Sequence, residues 1–241
     1  MGAVLAAFGL SASAQLATRP FATPEALACA PRLAPDASTQ GGRVLGDPDA
    51  PLREVFSVGD VVRLSVGRVQ GVSVGTQFFS RRTAAPADSA MRARGVRVLQ
   101  TSGWLRALVV DEHFTRAVVE RVCAEIRRGD QLVPLQWAAA VSVAPEEGTV
   151  SYDGPATVLF GQNGRGMLRA NQFLVIDQGA DSQVVPGQRF TLFRASPGGA
   201  EDEVTRLGEA VIVLTDAASA TARVTHASEQ IQSGDLAAVH R

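Results

Sequence analysis

Gly71-Val72-Ser73-Val74-Gly75-Thr76-Gln77-Phe78 has a second version near the other end of the chain, Gln183-Val184-Val185-Pro186-Gly187-Gln188-Arg189-Phe190. Each version follows an apolar, strand-like run and leads into a strand that closes on arginine, Arg81 in the first copy and Arg194 in the second. Farther on, each is followed by an Ile-x-x-Gly-Asp signal, Ile126 to Asp130 and Ile231 to Asp235. Long-period self-similarity means that one structural unit has been built twice. Gly187 lies 112 residues after Gly75, whereas Gly208 and Gly234 lie 105 after Gly103 and Gly129. The second copy is thus shorter by seven residues, lost in the loop between, where length changes cost little.

Between these signals the apolar residues alternate, which predicts short strands with one buried face. In the first copy the predicted strands are Arg43–Leu45, Asp60–Val66, Gln77–Arg82, Gly103–Val110, Phe114–Val122 and a last one from Gly129-Asp130 to Pro134. The second copy repeats the order with Thr157–Leu159, Phe173–Asp177, Phe190–Arg194, Gly208–Leu214, Ala220–Thr225 and a last strand from Gly234-Asp235. Six short strands per copy predict an all-β chain of two tandem small antiparallel β-barrels, SH3-like or similar. Residues 42–135 form the first, 136–155 a connector and 156–241 the second. Positive φ at the signature turns is expected of Gly71 and Gly75, and of Gly179 and Gly187. Gly129 and Gly234 are the matching turn residues before the last strands. Val72, Val74 and Val184 are expected to tuck under the signature turn, and Phe78 and Phe190 to fill one end of each barrel.

The 241 residues can bury a sizeable core, and 46% hydrophobic content with 20% charge is that of a folded chain. A net charge of −1 gives no electrostatic footprint for nucleic acid or an anionic membrane surface. Every basic residue is arginine. Without lysine, a P-loop, a Schiff base and a Ser-Lys dyad are all impossible.

The N-terminus predicts export. An apolar run from Ala3 to Leu10 precedes Ala12-Ser13-Ala14, so residues 1–14 read as a signal peptide. No run is long enough to span a bilayer as a helix. Residues 15–41, with Pro20, Pro24, Pro31 and Pro35, predict an extended Pro/Ala-rich arm rather than a helix. In a periplasmic or extracellular compartment, Cys29 and Cys123 become a candidate disulfide tying that arm to the first copy. Cys123 aligns with Ser228, so the fold itself does not require sulfur there.

Gly71-x-Ser73-x-Gly75 matches a nucleophile elbow as a string, with Asp111 and His113 later in the chain. The elbow needs a helix after the serine, whereas Thr76 to Arg82 is strand-like. The second copy places Val185 opposite Ser73, so the spacing is explained without a hydroxyl. Three histidines, widely spread, supply too few nitrogens for a zinc site. Gly161-Gln162-Asn163-Gly164-Arg165-Gly166 has the glycine content of a phosphate loop but no lysine, and its Asn-Gly favours a turn. No catalytic, cofactor or metal site is assigned. Trp104, Arg81 and Arg194 are the candidates for a ligand surface that could take a glycan.

The pattern Gly-x-x-x-Gly-Val-x-Val-Gly-x-x-Phe, a Gly-led hairpin and Ile-x-x-Gly-Asp resembles the C-terminal small-barrel domain of flagellar assembly protein T. It is also similar to domains of uncharacterised exported proteins that carry LysM modules. The resemblance covers Gly67 to Pro134 and, more loosely, Gly179 to Val239. It implies a non-enzymatic cell-envelope scaffold or protein-interaction module engaging another envelope protein, with a glycan or peptidoglycan binder as the alternative. It carries over no catalytic residue, and the remote third reading is a serine hydrolase using Ser73.

Overall fold

The structure, a computed structural model, describes residues 21–34, 41–141, 148–195 and 204–241. The predicted signal peptide lies outside these residues. Within them the first copy is built from β1 (Arg32–Leu33), β2 (Val44–Gly46), β3 (Val55–Phe56), β4 (Val61–Leu64), β5 (Gln77–Ala84), β6 (Val98–Val110), β7 (Thr115–Val122), β8 (Ile126–Arg127) and β9 (Gln131–Pro134). The second comprises β10 (Val150–Gly161), β11 (Met167–Leu168), β12 (Phe173–Ile176), β13 (Arg189–Ala195), β14 (Val204–Thr215), β15 (Ala220–Ala227), β16 (Ile231–Gln232) and β17 (Leu236–His240).

The two copies share one topology. The first is a curled antiparallel sheet in the order β2-β4-β7-β6-β5-β9, and the second a closed barrel in the order β10-β12-β15-β14-β13-β17. Each carries a two-stranded ribbon at one end, β3 with β8 and β11 with β16. The copies differ at the seam. In the second, β10 pairs with β17 from Val150 to Thr157, whereas in the first the edges meet at the bridge Arg43↔Gln131. The adjoining bonds recur: Gly129 N–H donates to the Val44 carbonyl and Gly234 N–H to the Val158 carbonyl, both at 2.8 Å.

Inward-facing residues match position by position. Val62, Leu64, Val72, Phe78, Val119 and Ile126 fill the first core, and Leu174, Ile176, Val184, Phe190, Val224 and Ile231 fill the second. Outward faces do not match. Val61 and Arg63 on β4 are exposed, while their counterparts Phe173 and Val175 on β12 are buried. The reason lies outside the barrel, since two other segments cover this wall.

One cover is the N-terminal arm, and here the expectation of a wholly extended segment is corrected. Pro24–Ala28 is a short helix, α1, because Thr23 Oγ1 accepts from Ala26 N–H and Pro24 stands where a first-turn N–H has no partner anyway. Ala22, Leu27 and Ala30 pack with Phe173, Val213 and Val141. Thr221 Oγ1 donates to the Pro31 carbonyl at 2.7 Å, and Arg32 is paired with Asp216. The arm then adds β1 to the first copy beside β6, Arg32 opposite Leu99.

The other cover is the loop in which the copies differ in length. Its extra residues form α2 (Ser89–Ala93), capped by Asp88 Oδ1 accepting from Met91 N–H at 3.0 Å. Met91 and Val98 bury against Leu159, Phe160 and Val175 of the second barrel. The two copies and the arm therefore share buried apolar clusters. The expected Cys29–Cys123 disulfide is formed, across a sequence separation of 94 residues, and binds the arm to the end of β7.

Candidate functional site

The recurrent residues converge on the turn before the last strand. Asp130 and Asp235 are buried. Asp235 Oδ2 accepts from Gln232 N–H at 2.6 Å, and Asp130 Oδ2 from Arg127 N–H at 3.0 Å. Gly129 and Gly234, at φ +86° and +93°, turn the chain so that each carboxylate can reach back. The remaining oxygens meet an arginine. Arg194 Nε and Nη2 donate to Asp235 Oδ1 and Oδ2 at 2.7 and 2.9 Å, and Arg82 Nε lies 3.2 Å from Asp130 Oδ1. These hydrogen bonds raise the Arg194 pKa above its ordinary value. Arg194 is thus committed to holding a turn. Its counterpart is Arg82 rather than Arg81, at the same 112-residue offset as Gly75 and Gly187, and both copies place a β-bulge just before it, after Ser80 and Leu192.

Arg81 instead points to the junction between copies, beside Arg32 and Asp216, with its guanidinium 5.1 Å from the Phe79 ring centroid. Burial pushes its pKa down, and the charge of Arg32 adds to that. Trp104 is 6% exposed, edge-on to Phe79 and Trp137 at centroid distances of 6.2 and 5.2 Å. So buried a ring offers no face for a sugar. The outermost member of this aromatic trio is Trp137, 43% exposed. Arg81 and Trp104 therefore share the Phe79 ring, while Arg194 is spent on the Asp235 turn of the second copy.

The signature turns are shaped as expected at Gly71, Gly75 and Gly187, with φ of +78°, +87° and +91°. Gly179 is corrected: its φ of −140° is extended, and Gln183 takes the left-handed position instead. Glycine is needed there for room, since a Cβ would stand 2.2 Å from the Asp216 carbonyl oxygen. Val72 and Val184 are buried under the turns, but Val74 is exposed. Ser73 Oγ lies 3.2 Å from Thr76 Oγ1, and the chain continues into β5 rather than a helix. Among the described residues no group of three or more His, Cys, Asp or Glu is placed to hold a metal ion.

A concave site missed from sequence lies at the seam of the two copies. It is an open cleft of about 430 Å³ whose walls include Ala87, Arg165, Met167, Arg169, Gln172 and Gln230. Ala87 comes from the loop carrying α2, and the others from the β10–β12 and β15–β16 connections of the second barrel. The only signal in the sequence was the arginine pair flanking Met167, which a turn reading of Gly161–Gly166 passes over.

The chain matches no protein-family model, and a search of curated proteins gives no relative. Among the described residues no helix is long and apolar enough to cross a membrane.

Proposed function

We propose that this chain is a non-enzymatic, exported scaffold or protein-interaction module of the cell envelope. The observation that carries the reading is where the recurrent residues go. Gly129, Asp130 and Arg82, with Gly234, Asp235 and Arg194, are spent on holding two turns in shape. A fold maintained twice by shape-holding residues, and tied together by an arm and a disulfide, suits a rigid platform. The Cys29–Cys123 bridge supports an oxidising, periplasmic or extracellular compartment. The likeness to small-barrel envelope domains points the same way.

The test is affinity capture from envelope extract with the oxidised chain, alongside sedimentation with purified peptidoglycan. A protein retained in fixed ratio, and lost when exposed positions such as Val61 or Val109 are changed to Asp, is the expected outcome. Sedimentation with peptidoglycan in the absence of protein would overturn it in favour of the glycan binder. Labelling by an active-site serine probe that Ser73→Ala abolishes would overturn it in favour of the hydrolase.

A further inference from the structure

We propose that the seam cleft binds a small ligand carrying an oxyanion, a carboxylate or a phosphate, recognised by guanidinium groups. Of the arginines in the described residues, eight are paired with a carboxylate and the others are not. Arg165 and Arg169, in the cleft wall, form no ion pair among the described residues. Beside Ala87, Arg92 is spent on the backbone, donating to the Pro86 carbonyl at 2.9 Å and to the Ala87 carbonyl. Asp88 stands near Gly166, with one oxygen occupied in capping α2. One carboxylate against the two guanidiniums of the wall leaves the cleft positive. Guanidinium forks match a carboxylate or phosphate bidentately, and such charge-assisted bonds are the strong ones.

The exposed Met167 side chain offers an apolar surface for a carbon skeleton. A volume of about 430 Å³ suits a ligand of monosaccharide to disaccharide size. The walls are held together by Ala87 N–H donating to the Gly164 carbonyl at 2.7 Å and Gln100 Nε2 to Asn163 Oδ1 at 3.1 Å.

The experiment is calorimetric titration of the oxidised full chain, at low ionic strength, with inorganic phosphate, glucuronate and citrate, and with glucose as the neutral control. Saturable binding of an anion and none of glucose is expected, and whether phosphate or glucuronate binds tighter identifies the oxyanion. Arg165→Gln with Arg169→Gln should weaken it by roughly tenfold or more. Arg206→Gln, paired elsewhere with Glu209, should leave it unchanged. Both cleft arginines are exposed, so melting of the double variant should match that of the native chain. Amide shifts on titration should centre on residues 164–172 and Ala87. Absence of saturable binding, undiminished binding by the double variant, or shifts centred elsewhere would each overturn the proposal. The scaffold reading would survive that failure, because its test reads proteins retained rather than small anions.

Discussion

At the scale of single residues, the two Arg–Asp pairs that close the last turns differ in depth, and that difference makes a prediction. Asp130 also accepts from Ser80 Oγ at 3.1 Å, and the Arg82 side chain is 19% exposed, against 40% for Arg194. Removing a buried acceptor strands its donors, while solvent screens the more exposed pair. Asp130→Ala should therefore cost about 3 kcal/mol and Asp235→Ala about 2 kcal/mol in urea unfolding. The reverse order would show that the carboxylates are not what holds the turns. His240 provides a second test. Burial lowers its pKa, with Arg189 and Arg206 acting in the same direction and Glu209 opposing, while its Nε2 lies 2.9 Å from Thr191 Oγ1. The unfolded chain then binds the proton more readily than the folded one. The contribution is present above the ordinary value near 6.5 and is lost as pH falls from there toward the depressed folded value. His240→Gln should flatten the decline of the urea midpoint between about pH 7 and 5. An unchanged slope would remove His240 as its source. The Asp and Gly of this turn were legible in the sequence. The Arg82 counterpart was legible too, 112 residues before Arg194 at the Gly75-to-Gly187 spacing, but taking Arg81 as the residue that closes the strand passed over it.

Among the elements, the glycines of the signature fall into two kinds with different tolerances. Gly71→Ala keeps open space around it and meets only the strain of φ +78°, a cost of about 1 kcal/mol. Gly179→Ala relieves no such strain but drives a methyl into the β14–β15 turn, so its loss of stability should be several-fold larger. Comparable midpoints for the two variants would contradict this account of the close approach. Alternation predicted every main strand, yet several ends were misplaced. β6 begins at Val98 rather than Gly103, because its first residues are paired on both sides by β1 and β5 beyond the barrel. Single-strand periodicity carries no record of such added neighbours. α2 spans five residues, too short to display a period, although Asp88 before Ser89 is a readable cap. Thr23-Pro24 before Glu25 announced α1 in the same way, and the surrounding prolines masked it.

For the whole molecule, the arm is what the repeat could not reveal, since it has no second copy to compare. Its partners lie in both halves, and the clue in the sequence was indirect: β12 reads Phe-Leu-Val-Ile where β4 reads Val-Val-Arg-Leu. A strand apolar on both faces needs a second cover. The chain-entropy model credits a bridge closing so long a loop with about 4–5 kcal/mol. Cys29→Ser should lower the unfolding midpoint accordingly under oxidising conditions, and reductant should bring the native chain to the same midpoint. A variant as stable as the oxidised native chain would mean that the arm's packing alone holds it. Limited proteolysis should also cut within residues 21–34 sooner after reduction.

The bridge also dictates a sequence of events during synthesis. Cys29 leaves the ribosome well before Cys123, and the buried seats of its own segment, around Phe173 and Val213, emerge later still. Throughout that interval a lone thiol has no mate within its own polypeptide, so any disulfide it forms is with another molecule, a second newborn chain among them. Delaying elongation between codons 29 and 123 should therefore increase covalent dimers linked through Cys29, a product that non-reducing electrophoresis would display directly.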